Sequence, residues 1–308
     1  MCGFVGALFK DTANLSFNLS QLADLIYYRG PDDKGIVSRS YNGVAYEVAF
    51  NRLAIIDLSI GGHQPMVNKT HGVTVLFNGE VYNYTELRQD LMNLGYEFNS
   101  NSDTEVVLKS YIQWGVICLS LFNGMFSIVI LDDKKEKLFL ARDRIGIKPM
   151  YFQLNENSIG FSSEFMPVKE MFNSNEIYQY ALREFMMYGY TNQDRTILHQ
   201  VRKLEAGCYL ELSYDFKYQS HQRYWRLEET GHETSTKTIQ TVKENVKEYL
   251  IRSLKYRMVA DVDIGVFLSG GIDSVLLVAL LSKELNLDIN AFTVGFNVKE
   301  YDESERAK

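Results

Sequence analysis

The sequence predicts two units of different class: an α+β domain of packed antiparallel sheets over residues 2–215, and, over residues 238–308, the start of an α/β domain with a parallel sheet. Three observations predict this. Short runs rich in Val, Ile, Phe and Tyr, broken by turns, recur as far as about Leu212 with a few amphipathic helices between them. A polar stretch, Glu228-Glu229-Thr230-Gly231-His232-Glu233-Thr234-Ser235-Thr236, has almost no apolar content and reads as part of a linker over 216–237. Beyond it come an apolar strand, a glycine turn, a helix and a second strand, the unit from which covered parallel sheets are built.

Taken in order, the chain opens on a strand from Gly3 to Phe9, followed by a helix from Leu19 to Tyr28. Strands follow at Val44 to Phe50 and Val73 to Phe77. The next helix runs from Thr85 to Leu94, where Asn83 and Glu86 stand at capping-box spacing. A helix from Thr104 to Trp114, strands at Phe126 to Leu131 and Leu138 to Arg142, a helix from Ile177 to Tyr188 and a strand at Tyr209 to Leu212 complete the first unit. In the second, Ile239, Val242, Val246, Leu250 and Leu254 recur at helical spacing. A strand from Ile264 to Leu268, a helix from about Ser274 to Leu285 and a strand from Ile289 to Phe296 follow, with no internal repeat.

The formal charge of −7 comes without a basic run interleaved with aromatics, so the phosphate attraction behind nucleic-acid binding is missing. The apolar stretch Val275 to Leu281 falls far short of the roughly 20 residues that a spanning helix needs, and the first residues lack the layout of a signal peptide. Neither nucleic acid nor membrane is an expected partner, and the expected location is the cytoplasm. Cys2, Cys118 and Cys208 are odd in number and widely spaced, which fits neither a disulfide framework nor a zinc site and suits a reducing compartment. The five histidines are scattered, and none is expected to act as a base.

Two constellations carry chemistry. In Met1-Cys2-Gly3, trimming of Met1 would leave one residue with a soft nucleophile and a free α-amine whose pKa of about 8 suits proton transfer. Taken alone, Cys2 equally suits a small apolar residue at the start of a strand. In Phe267-Leu268-Ser269-Gly270-Gly271-Ile272-Asp273-Ser274, a strand runs into paired glycines, hydroxyls and a carboxylate at a helix start, an arrangement that suits a phosphate. No lysine follows the glycines, so this is not the GxxxxGK[ST] loop.

Ser269-Gly270-Gly271-Ile272-Asp273-Ser274 resembles the pyrophosphate loop of ATP pyrophosphatases, and Met1-Cys2-Gly3 resembles the start of class II glutamine amidotransferases. In this order the two resemble the amino-terminal half of glutamine-hydrolysing asparagine synthetases. Arg29-Gly30-Pro31-Asp32, Arg52 to Asp57, Asn78 to Asn83, Asp103 with Glu105, Asn123 to Phe126, Ala141 to Arg144 and Gly146 to Pro149 also match segments of that family. The resemblance implies an Ntn-hydrolase fold of four layers, αββα, followed by the start of an ATP pyrophosphatase domain. It implies that Cys2 attacks glutamine, that Asn78 and Gly79 form an oxyanion hole, and that Arg52, Leu53, Ala54, Ile55, Ile56, Asn78, Gly79, Glu80 and Asp103 bind the amino acid. Arg52 would take its α-carboxylate and Asp103 its α-ammonium. Leu268, Ser269, Gly270, Gly271, Asp273, Ser274 and Val294 would bind ATP, with Asp273 beside Mg²⁺. Glutamine, aspartate and ATP are the implied substrates, and a homodimer is compatible with the family.

Tyr28 and Phe50 stand where relatives usually carry histidine, which leaves the acceptor less defined than the donor. The chain stops shortly after Glu305 with one parallel strand pair, so a fragment or truncated gene is expected, with glutaminase chemistry retained and ligation weak or absent. A related amidotransferase with another carboxylate acceptor, and a silent binding module, are the alternative readings. Phosphosugar and phosphoribosyl amidotransferases share the first domain, but the Ser-Gly-Gly-Ile-Asp-Ser loop argues against them.

Overall fold

A computed structural model describes residues 2–10, 16–192, 194–227, 238–298, 300 and 302–307, and its chain divides into compact units Met1–Leu227 and Glu228–Lys308. The polar stretch from Glu228 to Thr236 lies outside the described residues. The first unit runs β1 (Gly3–Lys10), α1 (Leu19–Asp24), β2 (Asp33–Tyr41), β3 (Val44–Arg52), β4 (Met66–Asn68), β5 (Val73–Val81), α2 (Tyr84–Asn93), α3 (Asp103–Trp114) and α4 (Cys118–Leu121). It continues with β6 (Gly124–Asp132), β7 (Lys137–Arg142), β8 (Tyr151–Asn155), β9 (Ser158–Ser162), α5 (Phe165–Phe172), α6 (Gln179–Tyr188), β10 (Arg202–Lys203), β11 (Cys208–Ser213) and β12 (Gln219–Arg223).

These strands form two six-stranded antiparallel sheets, ordered β10-β8-β9-β1-β3-β2 and β12-β11-β7-β6-β5-β4. Alternation along each strand builds the layers. Phe4 and Leu8 of β1, with Tyr46, Val48 and Phe50 of β3, meet Leu76, Val129, Leu131, Leu138 and Leu140 of the other sheet in a core between the sheets. Val5 and Ala7 point the other way, to Leu19, Leu22 and Ala23 of α1 and Met171 of α5. On the far side, Val75, Phe77, Ile128 and Ile130 pack under Leu87 and Leu91 of α2 and Val106 and Val107 of α3. The result is the four-layer αββα order.

The structure corrects several boundaries. The first helix ends at Asp24, and a 3₁₀ turn over Tyr27–Arg29 replaces its predicted last turn. The Asn51 side chain donates to Ala23 O at 2.7 Å, and the chain then dives beneath β3, where a Cβ on Gly30 would lie 2.3 Å from Asn51 O. Asn83 does not cap α2 with its side chain. Its amide donates to Leu121 O and accepts from Asn123 N, tying the entry of β6 instead. Ser102 caps α3 by accepting from Glu105 N. Gln219–Arg223, inside the stretch read as linker, pair with β11 as an edge strand.

The second unit contains α7 (Ile239–Arg257), β13 (Gly265–Phe267), α8 (Ile272–Ala279), β14 (Asn290–Phe292) and α9 (Ser304–Ala307), with a π-type turn over Leu280–Glu284 extending α8. β13 and β14 pair in parallel over three residues each, shorter than the sequence pattern suggests. Among the described residues each has no other strand neighbour, and Phe267 and Phe292 remain exposed. Leu254 of α7 packs with Leu280 and Leu281 in a small core.

Candidate active site

Cys2 precedes β1, whose register sets Gly3 opposite Asn51 and so brings the thiol to the end of β3. Its Sγ donates to Leu53 O at 3.5 Å and accepts from Leu53 N at 3.4 Å. Arg29 Nε donates to Cys2 O at 2.9 Å, and the Arg29 guanidinium is in turn ion-paired with Glu164. A side chain on Gly3 would crowd Arg29, with its Cβ 3.0 Å from Arg29 Cδ. Backbone and thiol of the nucleophile candidate are therefore held from two sides. Burial pushes the Cys2 thiol above its ordinary value and Glu80 adds to the rise, whereas the hydrogen bond to Leu53 and the Lys148 ammonium act the other way.

Asn78 and Gly79 lie near the end of β5, paired with Ser127 and Phe126 of β6. Asn78 is fully buried, and its Nδ2 donates to Ser163 Oγ at 3.3 Å. The same Oγ accepts from Phe4 N at 3.2 Å. One hydroxyl thus registers the Asn78 amide against the strand that carries Cys2, and the second Nδ2 hydrogen is left to serve another acceptor. Gly79 accommodates a close backbone approach, since an added Cβ would sit 2.2 Å from Met125 O.

Arg52 ends β3 and is 6% exposed. Its guanidinium donates to Ser59 O at 3.0 Å, to Ile56 O at 3.1 Å and to Asp57 O, so it is the hub of the loop that follows β3. Gly62 lets that loop close, because a Cβ there would fall 1.8 Å from Arg52 Nη2. Asp103 opens α3 and accepts from Val81 N at 3.1 Å. Burial, reinforced by Asp103, pushes the Glu80 carboxyl well above the usual range, and Lys148 only partly offsets this. Burial likewise raises Asp103 against the pull of nearby amides and Arg52. With Asp103 buried and the half-buried Glu80 raised further by it, the two carboxyls share protons rather than both ionising at neutrality.

A cavity of about 30 Å³ is lined by Cys2, Arg52, Leu53, Ile55, Ile56, Gly79, Glu80 and Asp103, together with Gln64, Phe77 and Thr104. Eight of the residues proposed from sequence thus surround one space, although they come from the residue before β1, the end of β3 and the loop after it, β5 and α3. Ala54 does not line it; its N–H donates to Asp32 Oδ2 at 2.9 Å. Asn78 stands behind the wall. The cavity holds about one water molecule. A larger cavity of about 520 Å³, bordered by Arg202, Lys203 and Glu205, contains none of these residues and no thiol. Lys148, Ser163, Gln64 and the Arg29–Glu164 pair are parts of the site that sequence reasoning did not assign. Arg29 and Lys148 lie in segments already singled out by motif, whereas Ser163 and Gln64 carry no local signal.

In the second unit, Ser269 N donates to Ser274 Oγ at 3.1 Å, and Gly271 N donates to Ser269 Oγ at 3.3 Å. Gly270 N donates to Glu303 Oε2 at 3.2 Å, so a carboxylate already occupies one of the anion-seeking amides. Leu268, Ser269 and Val294 line one pocket of about 220 Å³ with Phe267, Phe292 and Glu303. Asp273, exposed in the first turn of α8, does not line it. The amides, hydroxyls and helix start fit a phosphate. Among the described residues no cluster of three His, Cys, Asp or Glu could hold a metal ion.

Residues 1–225 match the family described as glutamine amidotransferase domain, and residues 245–308 match asparagine synthase. The chain is 35% identical over 321 residues to asparagine synthetase [glutamine-hydrolyzing] 1 of Bacillus subtilis, covering 100% of this chain and 48% of the relative. It is 32% identical over 326 residues to the putative asparagine synthetase [glutamine-hydrolyzing] 2 of Methanocaldococcus jannaschii, covering 100% of this chain and 62% of that protein. The chain therefore spans about half to three fifths of these relatives. Among solved structures, glutamine phosphoribosylpyrophosphate amidotransferase from B. subtilis aligns with a TM-score of 0.51 at 15% identity, over 94% of this chain and 65% of that one, a likeness of fold.

Proposed function

Because the chain belongs to the glutamine amidotransferase domain family, we propose that its first unit hydrolyses glutamine to glutamate and ammonia at Cys2. The observation that carries this reading is the convergence of Cys2, Arg52, Gly79, Glu80 and Asp103 on one cavity. Removal of Met1 frees the Cys2 α-amine, which takes the thiol proton as sulfur attacks the carboxamide carbon. The carbon–sulfur bond forms, the carbon–nitrogen bond breaks, and the relayed proton leaves with ammonia. Water then cleaves the thioester and regenerates the thiol. The free Nδ2 hydrogen of Asn78 and the Gly79 N–H stabilise the tetrahedral oxyanion. The Arg52 fork exchanges carbonyl partners for the substrate α-carboxylate, and Asp103 with Glu80 receives the α-ammonium.

The second unit we read as part of an ATP-dependent ligase site, on the match to asparagine synthase and the Ser269–Ser274 loop. Ser269, Gly270, Gly271 and Ser274 would hold the phosphates, Leu268 and Val294 would flank the nucleotide, and Asp273 would face Mg²⁺. ATP would activate the side-chain carboxylate of aspartate, and ammonia would convert it to asparagine with release of AMP and pyrophosphate. Three free thiols support a reducing, cytoplasmic setting. The test is glutamate release from glutamine by the chain and by Cys2→Ala, with mass spectrometry for loss of Met1. Hydrolysis that survives in Cys2→Ala overturns the first part. Pyrophosphate release from ATP and aspartate, independent of Cys2, is the readout for the second.

A further inference from the structure

We propose that Gln64 is a positioning residue for glutamine hydrolysis, its carboxamide setting the Asn78-Gly79 backbone of β5 against the first turn of α3. This role rests on the reading of Cys2 as the attacking group and of Asn78 and Gly79 as oxyanion donors. Gln64 lies in the loop before β4, is 3% exposed, and carries three hydrogen bonds on its side chain. Oε1 accepts from Phe77 N at 2.7 Å, and Nε2 donates to Phe77 O at 3.1 Å and to Thr104 Oγ1 at 3.2 Å. A backbone N–H can only donate and a backbone carbonyl can only accept, so these bonds fix which end of the carboxamide is oxygen. Both Nε2 hydrogens are committed, which leaves none for a substrate and makes the group a brace rather than a ligand.

The local sequence explains why a side chain takes the place of a strand here. β4 pairs with β5 only as far as Met66 opposite Val75, and the preceding Pro65 has no N–H to continue the ladder. Continuing that register sets position 64 opposite Phe77, but the main chain has by then turned to the other sheet, where a Cβ on Gly35 of β2 would collide with Gln64 O. The carboxamide supplies the donor and the acceptor that a strand residue would have offered. Its second N–H also reaches Thr104, the neighbour of Asp103. At the other end of the same segment, Val81 N donates to Asp103 Oδ2 at 3.1 Å. Phe77 and Val81 are thereby tied to consecutive residues of α3, and Asn78, Gly79 and Glu80 are held between the two ties. Gln64, Phe77 and Thr104 line the same cavity as Cys2, Gly79 and Asp103, so a shift of the brace moves the walls around the reacting carbon and the α-ammonium.

The test compares Gln64→Met, Gln64→Glu and Thr104→Val with the wild-type chain by steady-state glutamate release, with thermal melts as the check on folding. Gln64→Met keeps the side-chain length and removes all three bonds, so kcat should fall about tenfold and KM should rise in a variant that still melts cooperatively. Thr104→Val cuts only the branch to α3, so KM should rise with kcat nearly kept. In Gln64→Glu the carboxylate has no proton to give Phe77 O, whereas the neutral acid restores both the donor and the acceptor on Phe77. Its kcat relative to wild type should therefore climb as pH falls, in a cavity it shares with Cys2, Arg52, Glu80 and Asp103. Labelling of Cys2 by a diazo-ketone analogue of glutamine should slow about tenfold in Gln64→Met, while alkylation by iodoacetamide, which needs only the thiol, keeps its wild-type rate. Wild-type kcat in Gln64→Met, equal slowing by both reagents, or a Gln64→Glu deficit that is the same at every pH overturns the proposal. Should neither Gln64 variant fold, Thr104→Val decides, and unchanged kcat and KM there overturn the proposal. A wild-type chain that releases no glutamate removes the glutaminase reading, and the contrast between the two reagents then judges the brace by itself.

Discussion

Replacing Ser163 with alanine should lower kcat for glutamine hydrolysis and leave KM almost unchanged. The fully buried Ser163 Oγ accepts from Phe4 N at 3.2 Å and from Asn78 Nδ2 at 3.3 Å, so Ser163→Ala strands two donors at once. At about 1 kcal/mol for each, the lower end for a buried donor, the fold loses about 2 kcal/mol. For a unit of this size that lowers the melting temperature by about 4–8 °C. Catalysis should lose more than stability alone explains. Removing an oxyanion donor outright, as in Asn78→Ala, costs about 10²–10³ in kcat. Ser163→Ala leaves the amide in place but free to turn, and should cost about tenfold. The oxyanion exists only in the transition state, which is why KM is spared. Steady-state glutamate release and thermal melts of both single variants and the double variant make the assay. If Ser163 acts through Asn78, the double variant is no slower than Asn78→Ala. Multiplicative losses, or a raised KM with intact kcat, refute the coupling.

Two further outcomes follow from the same site. Glu80 and Asp103 are both raised, so between the ordinary carboxylate range and their raised values the folded chain binds more protons than the unfolded one, and stability increases as pH falls through that window. The melting temperature should therefore rise from about pH 8 to about pH 6, and Asp103→Asn should raise it at the alkaline end, flatten the profile and abolish glutamine turnover. A variant profile as steep as that of wild type counts against the pair. Gly62→Ala would press a Cβ to 1.8 Å from Arg52 Nη2 and 2.4 Å from its Cζ, displacing a buried guanidinium that three loop carbonyls hold, so the melting temperature should fall as well. Displacing a charged fork worth about 1.5–3 kcal/mol should raise KM for glutamine by about 10-fold or more, and an unchanged KM removes Arg52 as a substrate ligand.

Among the inner strands β1, β3, β5, β6, β7 and β11 coincide with apolar runs, whereas β8 and β9, which also lie inside their sheet, are not legible in sequence, because Tyr151–Asn155 and Ser158–Ser162 are short and interrupted by Gln, Asn, Ser and Gly. Nor is β12 legible, since Gln219–Arg223 is polar throughout and joins the sheet only through backbone pairing at an edge. β2 is likewise an edge strand with a mostly exposed pattern. Asn83 shows the limit of local rules: its capping spacing is correct, yet Leu121 and Asn123, about forty positions away, supply better partners for its amide.

By itself the sequence marked where the candidate chemistry lies, because a thiol at position 2, the Asn78-Gly79-Glu80 run and the Ser269–Ser274 loop are contiguous signals read within a few residues. Tertiary structure alone decided how that chemistry is held. Ser163 reaches Asn78 across 85 positions and Phe4 across 159, and Arg29 reaches Glu164 across 135. Such partners are chosen by strand register and burial, and a short polar side chain has no periodicity to announce them.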